Sequence, residues 1–359
     1  RISNDIDVVL EVGDPLLEDS DPHFTVNADT YQKLYTELTQ DIEFRGTVVG
    51  RGLAKFPSLT VINAFLTRFS RCFLPQAPVL HIPTLNIDQD CPTYMLAIMI
   101  SIGATYCRRR HARRFAIALQ DLARCHLRLA VDACDALLKD PMMVYGAALI
   151  CYAGIWCGNK RAFELAEALR GSVVTWARRL PAHPRPGTLQ ANYNNGAQDI
   201  WRAWVRQESL QRLLWTVYMM DCQASSLINI NPCMSLTEVF DWDCPCDDEY
   251  WTAPSPRQLK LLLGNAVVPP SRAFGAALGP FLQSNSVLRP LTHLNSHSAF
   301  LVLLTINMEI LRFAEARDIS FKLSHMTYDE NENDKLSLAA VPQAHGDLKK
   351  HFVGKCHSS

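Results

Sequence analysis

Along most of the chain, apolar residues recur at spacings of three and four, the period of helices that bury one side. Over residues 201–230, Leu210, Leu213, Leu214, Val217 and Tyr218 fall on one stripe and no Pro or Gly interrupts the run, so a buried helix is predicted there. Asn231-Pro232 should end it, because a proline pushes its predecessor out of the helical region. A short helix over 235–240 and then an ordered loop, DWDCPCDDEYW, with its rings turned inward are expected next.

The same period predicts helices over residues 28–40, 57–73, 91–107, 112–136, 141–156, 161–180, 256–263 and 288–316. Gly103 is placed to let a neighbour come close. Prolines at 75, 78 and 83 should hold residues 75–85 extended, and residues 267–286 should be broken by Pro and Gly. Residues 183–198 gather Pro, Gly and Asn into the clearest loop, which we expect to be the movable part beside the 201–230 helix. Few strands of alternating β-branched residues occur, so the pattern predicts an all-α fold: a large multi-helical domain over 57–325. A lead-in with one helix (1–56) precedes it, and a charged linker with a last helix over 336–353 follows within 326–359.

Polar residues interrupt the stripe in informative places. Glu208 and Arg212, four apart, can pair along one side. Asp221 lies three after Tyr218 and seven after Leu214, so it must sit at the stripe's edge or be paired by an Arg or a backbone amide. A catalytic or ligand-binding Asp is the competing reading.

Trp201, Trp204, Glu208, Ser209, Arg212, Trp215, Tyr218 and Asp221 form the pattern W-x2-W-x3-E-S-x2-R-x2-W-x2-Y-x2-D, and residues 245–253 read PCDDEYWTA. With PQAPVLHIPTL (75–85), Leu96-Ala97-Ile98 and Ile102-Gly103-Ala104-x-Tyr106, this resembles the fungal-specific transcription factor domain. That is the regulatory region downstream of zinc-cluster or zinc-finger DNA-binding modules in fungal regulators. The resemblance covers residues 57–315 and implies a helical regulatory domain, a nuclear location and work in transcription control. Glu208, Arg212, Trp215, Asp221 and Trp251 are its signature positions here. As partner it implies a regulatory protein or a small-molecule effector, with DNA contacted through an upstream module missing from this sequence; an opening at Arg1 fits a fragment, and oligomerisation stays open.

Composition narrows the chemistry. At 359 residues, 48% hydrophobic and 20% charged, the chain can bury a sizeable core, and its net charge of -1 gives no general attraction for nucleic acid or anionic membranes. The basic cluster RRRHARR (108–114) offers one candidate phosphate contact through Arg109, Arg113 and Arg114, with a merely solvated helix face as the competing reading. That cluster also cuts short the apolar run MLAIMISIGATYC, so no membrane span is expected. The 12 cysteines are scattered through helical patterns without a C-x2-C pair, which points to buried thiols in a reducing compartment and to no metal or cofactor. FRGTVVGRGLAKFP lacks the GxxxxGK[ST] order of a phosphate loop.

His293 and His297 share the spacing of an H-E-x-x-H site but lack its Glu. No residue is assigned a catalytic role, and a non-catalytic regulatory domain is the expected function. A ligand pocket would draw on His81, Tyr218, Asp221, His293 and His297. The alternative is an enzyme of fungal metabolism on the same scaffold, with its pocket near Asp221, His293 and His297.

Overall fold

The computed structural model describes residues 20–40, 56–107, 109–180, 196–266, 268–282 and 294–329. The lead-in over 1–19, the glycine-bearing stretch before 56, most of the 183–198 loop, His293 and the helix expected over 336–353 lie outside the described residues.

In chain order the helices are α1 (Ala28–Gln40), α2 (Leu59–Arg68), α3 (Ile87–Asp90), α4 (Thr93–Thr105), α5 (Arg110–Ala133), α6 (Pro141–Trp156) and α7 (Lys160–Arg178). After them come α8 (Ala197–Ile228), α9 (Leu236–Val239), α10 (Asp248–Trp251), α11 (Pro256–Leu263), α12 (Phe274–Leu282) and α13 (Ser296–Asp329). Among the described residues the fold is all-α; the one strand-like feature is an isolated antiparallel bridge between Asp243 and Ala273.

Two helices make the centre because they are apolar on every side. Residues 94–104 of α4 and 143–151 of α6 are buried without a break, which a helix tolerates only when other helices surround it. Accordingly α4 packs against α1, α2, α5 and α6, while α6 packs against α5, α7 and α8. The large core follows these two helices and takes in Leu213, Trp215, Val217 and Tyr218 of α8. A smaller core joins Trp201, Trp204 and Val205 at the start of α8 to Cys246, Trp251, Ala253 and Leu259. Helix α8 therefore belongs to both.

Local chemistry sets several boundaries differently from the hydrophobic pattern. Residues 75–85 turn twice, through 3-10 segments at Leu74–Gln76 and Ile82–Thr84, because a proline near the start of a helical turn supplies a suitable φ and loses no bonded N–H. Helix α5 takes in the basic cluster from Arg110 onward. Helix α8 stops at Asn229, which adopts the left-handed region (φ 54°), a conformation Asn accepts better than most side chains. Helix α12 forms in spite of Pro280, and α13 continues to Asp329.

Gly103 is where α4 meets α2. A Cβ on it would lie 1.9 Å from the carbonyl oxygen of Phe65, so no side chain fits unless the helices separate. Gly103→Ala should cost about 1–3 kcal/mol or more, as overpacked cores do. Gly171→Ala, on exposed α7 surface with nothing within 4 Å, should gain about 0.5–1 kcal/mol. Urea midpoints of the two variants, moving in opposite directions from the parent, check the pair.

Candidate functional site

The polar side of α8 is built around a buried guanidinium. Arg212 is 1% exposed and directs its donors three ways: Nε to Glu208 Oε1 at 2.8 Å, Nη2 to the Cys246 carbonyl at 2.7 Å, and Nη1 to Asp248 Oδ1 at 3.3 Å. Its flat face lies over the Trp251 ring, 4.7 Å from the centroid. Glu208 Oε1 also accepts from the Cys246 N–H at 3.0 Å, so one carboxylate oxygen serves both the helix and the segment crossing it. Gln211 adds bonds from its amide nitrogen to the carbonyls of Asp243 and Cys244, and the Trp215 indole donates to the Asp243 carbonyl at 2.8 Å. Asp248 is 71% exposed, so its contact with Arg212 is screened and contributes little.

A second buried charge sits nine residues further along, about 13 Å by helix rise. Asp221 is fully buried. Its Oδ2 accepts the Met234 N–H at 2.7 Å, and its Oδ1 faces Arg170 Nε of α7 at 3.5 Å. Arg170 also donates to Ser225 at 2.8 Å. Burial pushes the Asp221 carboxyl above its ordinary range, and the Met234 N–H and Arg170 pull it back without cancelling the effect. Both partners anticipated for Asp221, an Arg and a backbone amide, are thus present together.

The remaining residues expected in a pocket are divided among these centres. His81 packs edge-on against Trp201 and Trp251 at 5.6 and 4.9 Å, with Nδ1 2.8 Å from Thr84 Oγ1 and a buried Nε2 that makes no hydrogen bond. Burial lowers it to about 4; the backbone of Ala253 works in the opposite sense, and Arg212 lowers it further. His297 is likewise lowered to about 4 by burial and then by Arg212, and its Nε2 is also unpartnered. Tyr218 bonds Thr305 of α13 at 2.9 Å. So His81 and His297 feel Arg212, whereas Asp221 belongs to Arg170 and Tyr218 to α13.

Of the three arginines of the basic cluster, Arg109 and Arg113 line a cleft between α4, α5 and α6, and Arg114 does not. Arg170, Gln211 and Asn295 were not singled out by pattern. Asn295 donates to the Pro245 carbonyl at 2.9 Å and to Asp247 at 3.0 Å, a tertiary role that no spacing announces. Among the described residues, no group of three or more His, Cys, Asp or Glu side chains is placed to hold a metal ion.

A family model described as the fungal specific transcription factor domain matches residues 66–302, from within α2 to the first turns of α13. The chain is 26% identical to "Transcription factor PfmaH" of Pestalotiopsis fici over 167 residues, 46% of the chain and 17% of that protein. It is 22% identical to "Transcription factor 1" of Elsinoe fawcettii over 243 residues, covering 64% and 25%. With the "Nicotinate catabolism cluster-specific transcription factor" of Emericella nidulans it shares 26% identity over 255 residues, covering 68% and 28%. The chain thus spans 17% to 28% of the length of these relatives. No solved structure matches it.

Arg212→Ala leaves Glu208 buried without its counter-charge and should cost ~3–5 kcal/mol, whereas Asp248→Ala should cost ~1 kcal/mol or less; urea midpoints of both variants measure the contrast. His81 and His297, held near 4 in the fold, titrate near 6.5 when unfolded, so below 6.5 the unfolded chain binds more protons. Their contribution is fully present above 6.5 and is lost as pH falls toward 4. Urea midpoints recorded between those limits should fall with pH, and His297→Asn should flatten the slope.

Proposed function

The chain belongs to the fungal specific transcription factor domain family, and on that premise we propose that its helical body receives a metabolite or protein signal within a transcription regulator. Regulation of transcription, at a nuclear location, follows from the membership itself. On this reading DNA contact belongs to a separate module of the regulator, and the chain turns over no substrate. No helix among the described residues is long and apolar enough to cross a membrane.

One observation supports a receiving role above the others: side chains of α8 are bonded to two helices and three connecting segments around it. Ser209 donates to the Val79 carbonyl at 2.7 Å, Arg212 and Gln211 hold residues 243–248, Asp221 holds Met234, Ser225 accepts from α7, and Tyr218 meets α13. An effector that favours one arrangement of any of these elements must shift α8, and the coupling equals its difference in affinity for the two arrangements. The same engagement argues for the non-catalytic reading, since Glu208 and Asp221 already hold backbone N–H groups in place.

The test tethers the full chain to an unrelated DNA-binding module upstream of a reporter in a fungal host. Transcription should change several-fold relative to the module alone. In parallel, the purified chain incubated with small-molecule mixtures should yield no product by mass spectrometry. A silent reporter together with turnover that Asp221→Asn abolishes would replace this reading with the enzyme alternative.

A further inference from the structure

We infer that the cleft where α4, α5 and α6 converge is a binding site for a small aromatic carboxylate. The inference rests on the regulatory reading above and names the chemistry of an effector for it. The cleft encloses about 620 Å³, within the ~300–1,000 Å³ range of small-ligand sites.

Its charge, walls and floor each select part of the ligand. Arg109 and Arg113 stand at the start of α5, whose first turn has no side-chain cap, so the positive end of the helix adds to the two guanidinium groups. Arg113 directs one N–H to the Cys157 carbonyl at 3.1 Å, which ties it to the end of α6; a guanidinium carries five such donors. An anion is favoured here.

The walls are aromatic. Trp156 is 50% exposed and Tyr106 38%, and Tyr152 is fixed between Phe73 and Trp156 with ring centroids 5.0 and 6.3 Å away. A planar ring would cover this apolar surface. Deeper in, Gln120 is 5% exposed, yet its amide makes no hydrogen bond among the described residues. Gly154 leaves room for that amide, since a Cβ there would lie 2.8 Å from Gln120 Nε2. The amide lines the cleft, and a polar group on the ligand's far end would give it a partner. Arg113 and Gln120 are seven residues apart on α5, about 10 Å by helix rise, the span of a ring bearing a carboxylate at one end and a hydroxyl at the other.

The purified chain is titrated with 4-hydroxycinnamate, with the neutral 4-hydroxycinnamamide as control, by calorimetry and tryptophan fluorescence. Saturable one-site binding is expected, at least tenfold weaker for the amide. Gln120→Leu and Trp156→Ala should each weaken the acid at least tenfold while keeping the parental circular dichroism. Absent saturable binding, equal binding of the amide, or affinity untouched by both substitutions would overturn the site. The tethered reporter separates the two readings: a responsive reporter without binding in the cleft removes the site and keeps the regulatory function. Binding with a silent reporter does the reverse.

Discussion

A guanidinium withdrawn from water has to be met on every side, and the middle of this molecule is arranged to do so for Arg212. The Glu208 carboxylate comes from one turn earlier on the same helix, but the carbonyl that completes the set belongs to Cys246, on a separate segment. That segment makes only an isolated bridge, Asp243 with Ala273, and backbone bonds to residues 272–274 on its far side. Against α8 it is held by Arg212, Glu208, Gln211 and Trp215, and it delivers Trp251 to the small core. The exposed Arg178–Glu238 pair has equally short bonds, yet solvent screens it and it is worth ~1 kcal/mol or less, against ~3–5 for breaking the buried set. In a domain whose whole stability is of order 5–15 kcal/mol, the buried set decides and the surface pair does not.

Much of the helical plan was legible because burial writes a period into the sequence. Helix α8 showed it at Leu210, Leu213, Leu214 and Val217, and the i, i+4 relation of Glu208 and Arg212 announced their pair. Where the period fails, chemistry had overruled it. Helix α12 was hidden by Pro280, which costs one bond in a short apolar helix that the core compensates, and the end of α13 by exposed apolar residues such as Ile310 and Ile319 that obscure a single buried stripe. The need of Asp221 for a partner was readable from its place beside the stripe. That the partner is Arg170, on another helix, was not, because sequence spacing carries no record of which helix lies alongside. For the same reason His81 and His297 looked like companions of Asp221 when they belong with Arg212.

The two central helices also connect the parts of the molecule. Helix α6 touches α4, α5, α7 and α8, and it is buried without a break over residues 143–151. A displacement of its last turn, where Trp156 and Cys157 border the cleft, cannot be absorbed by compressing a close-packed interior. Carried along the helix, it would act on the contacts of α6 with α7 and α8, the pair joined by Arg170 and Asp221.

The buried charges have a further consequence, in the order of events when the chain folds. Beyond the local Glu208–Arg212 pair, the hydrogen bonds that hold these buried groups join residues far apart in sequence: 55 from Arg170 to Ser225, 34 from Arg212 to the Cys246 carbonyl, 38 from Cys246 to Glu208. Closing loops of that length carries an entropic penalty before any reward arrives. Glu208 accompanies Arg212 as soon as α8 forms, whereas Asp221 should leave water only as Arg170 of α7 arrives. The kinetic barrier should lie at the docking of α7 and residues 243–248 onto a preformed α8, making this region the slow step of folding and the interval in which a newly made chain is most exposed to self-association.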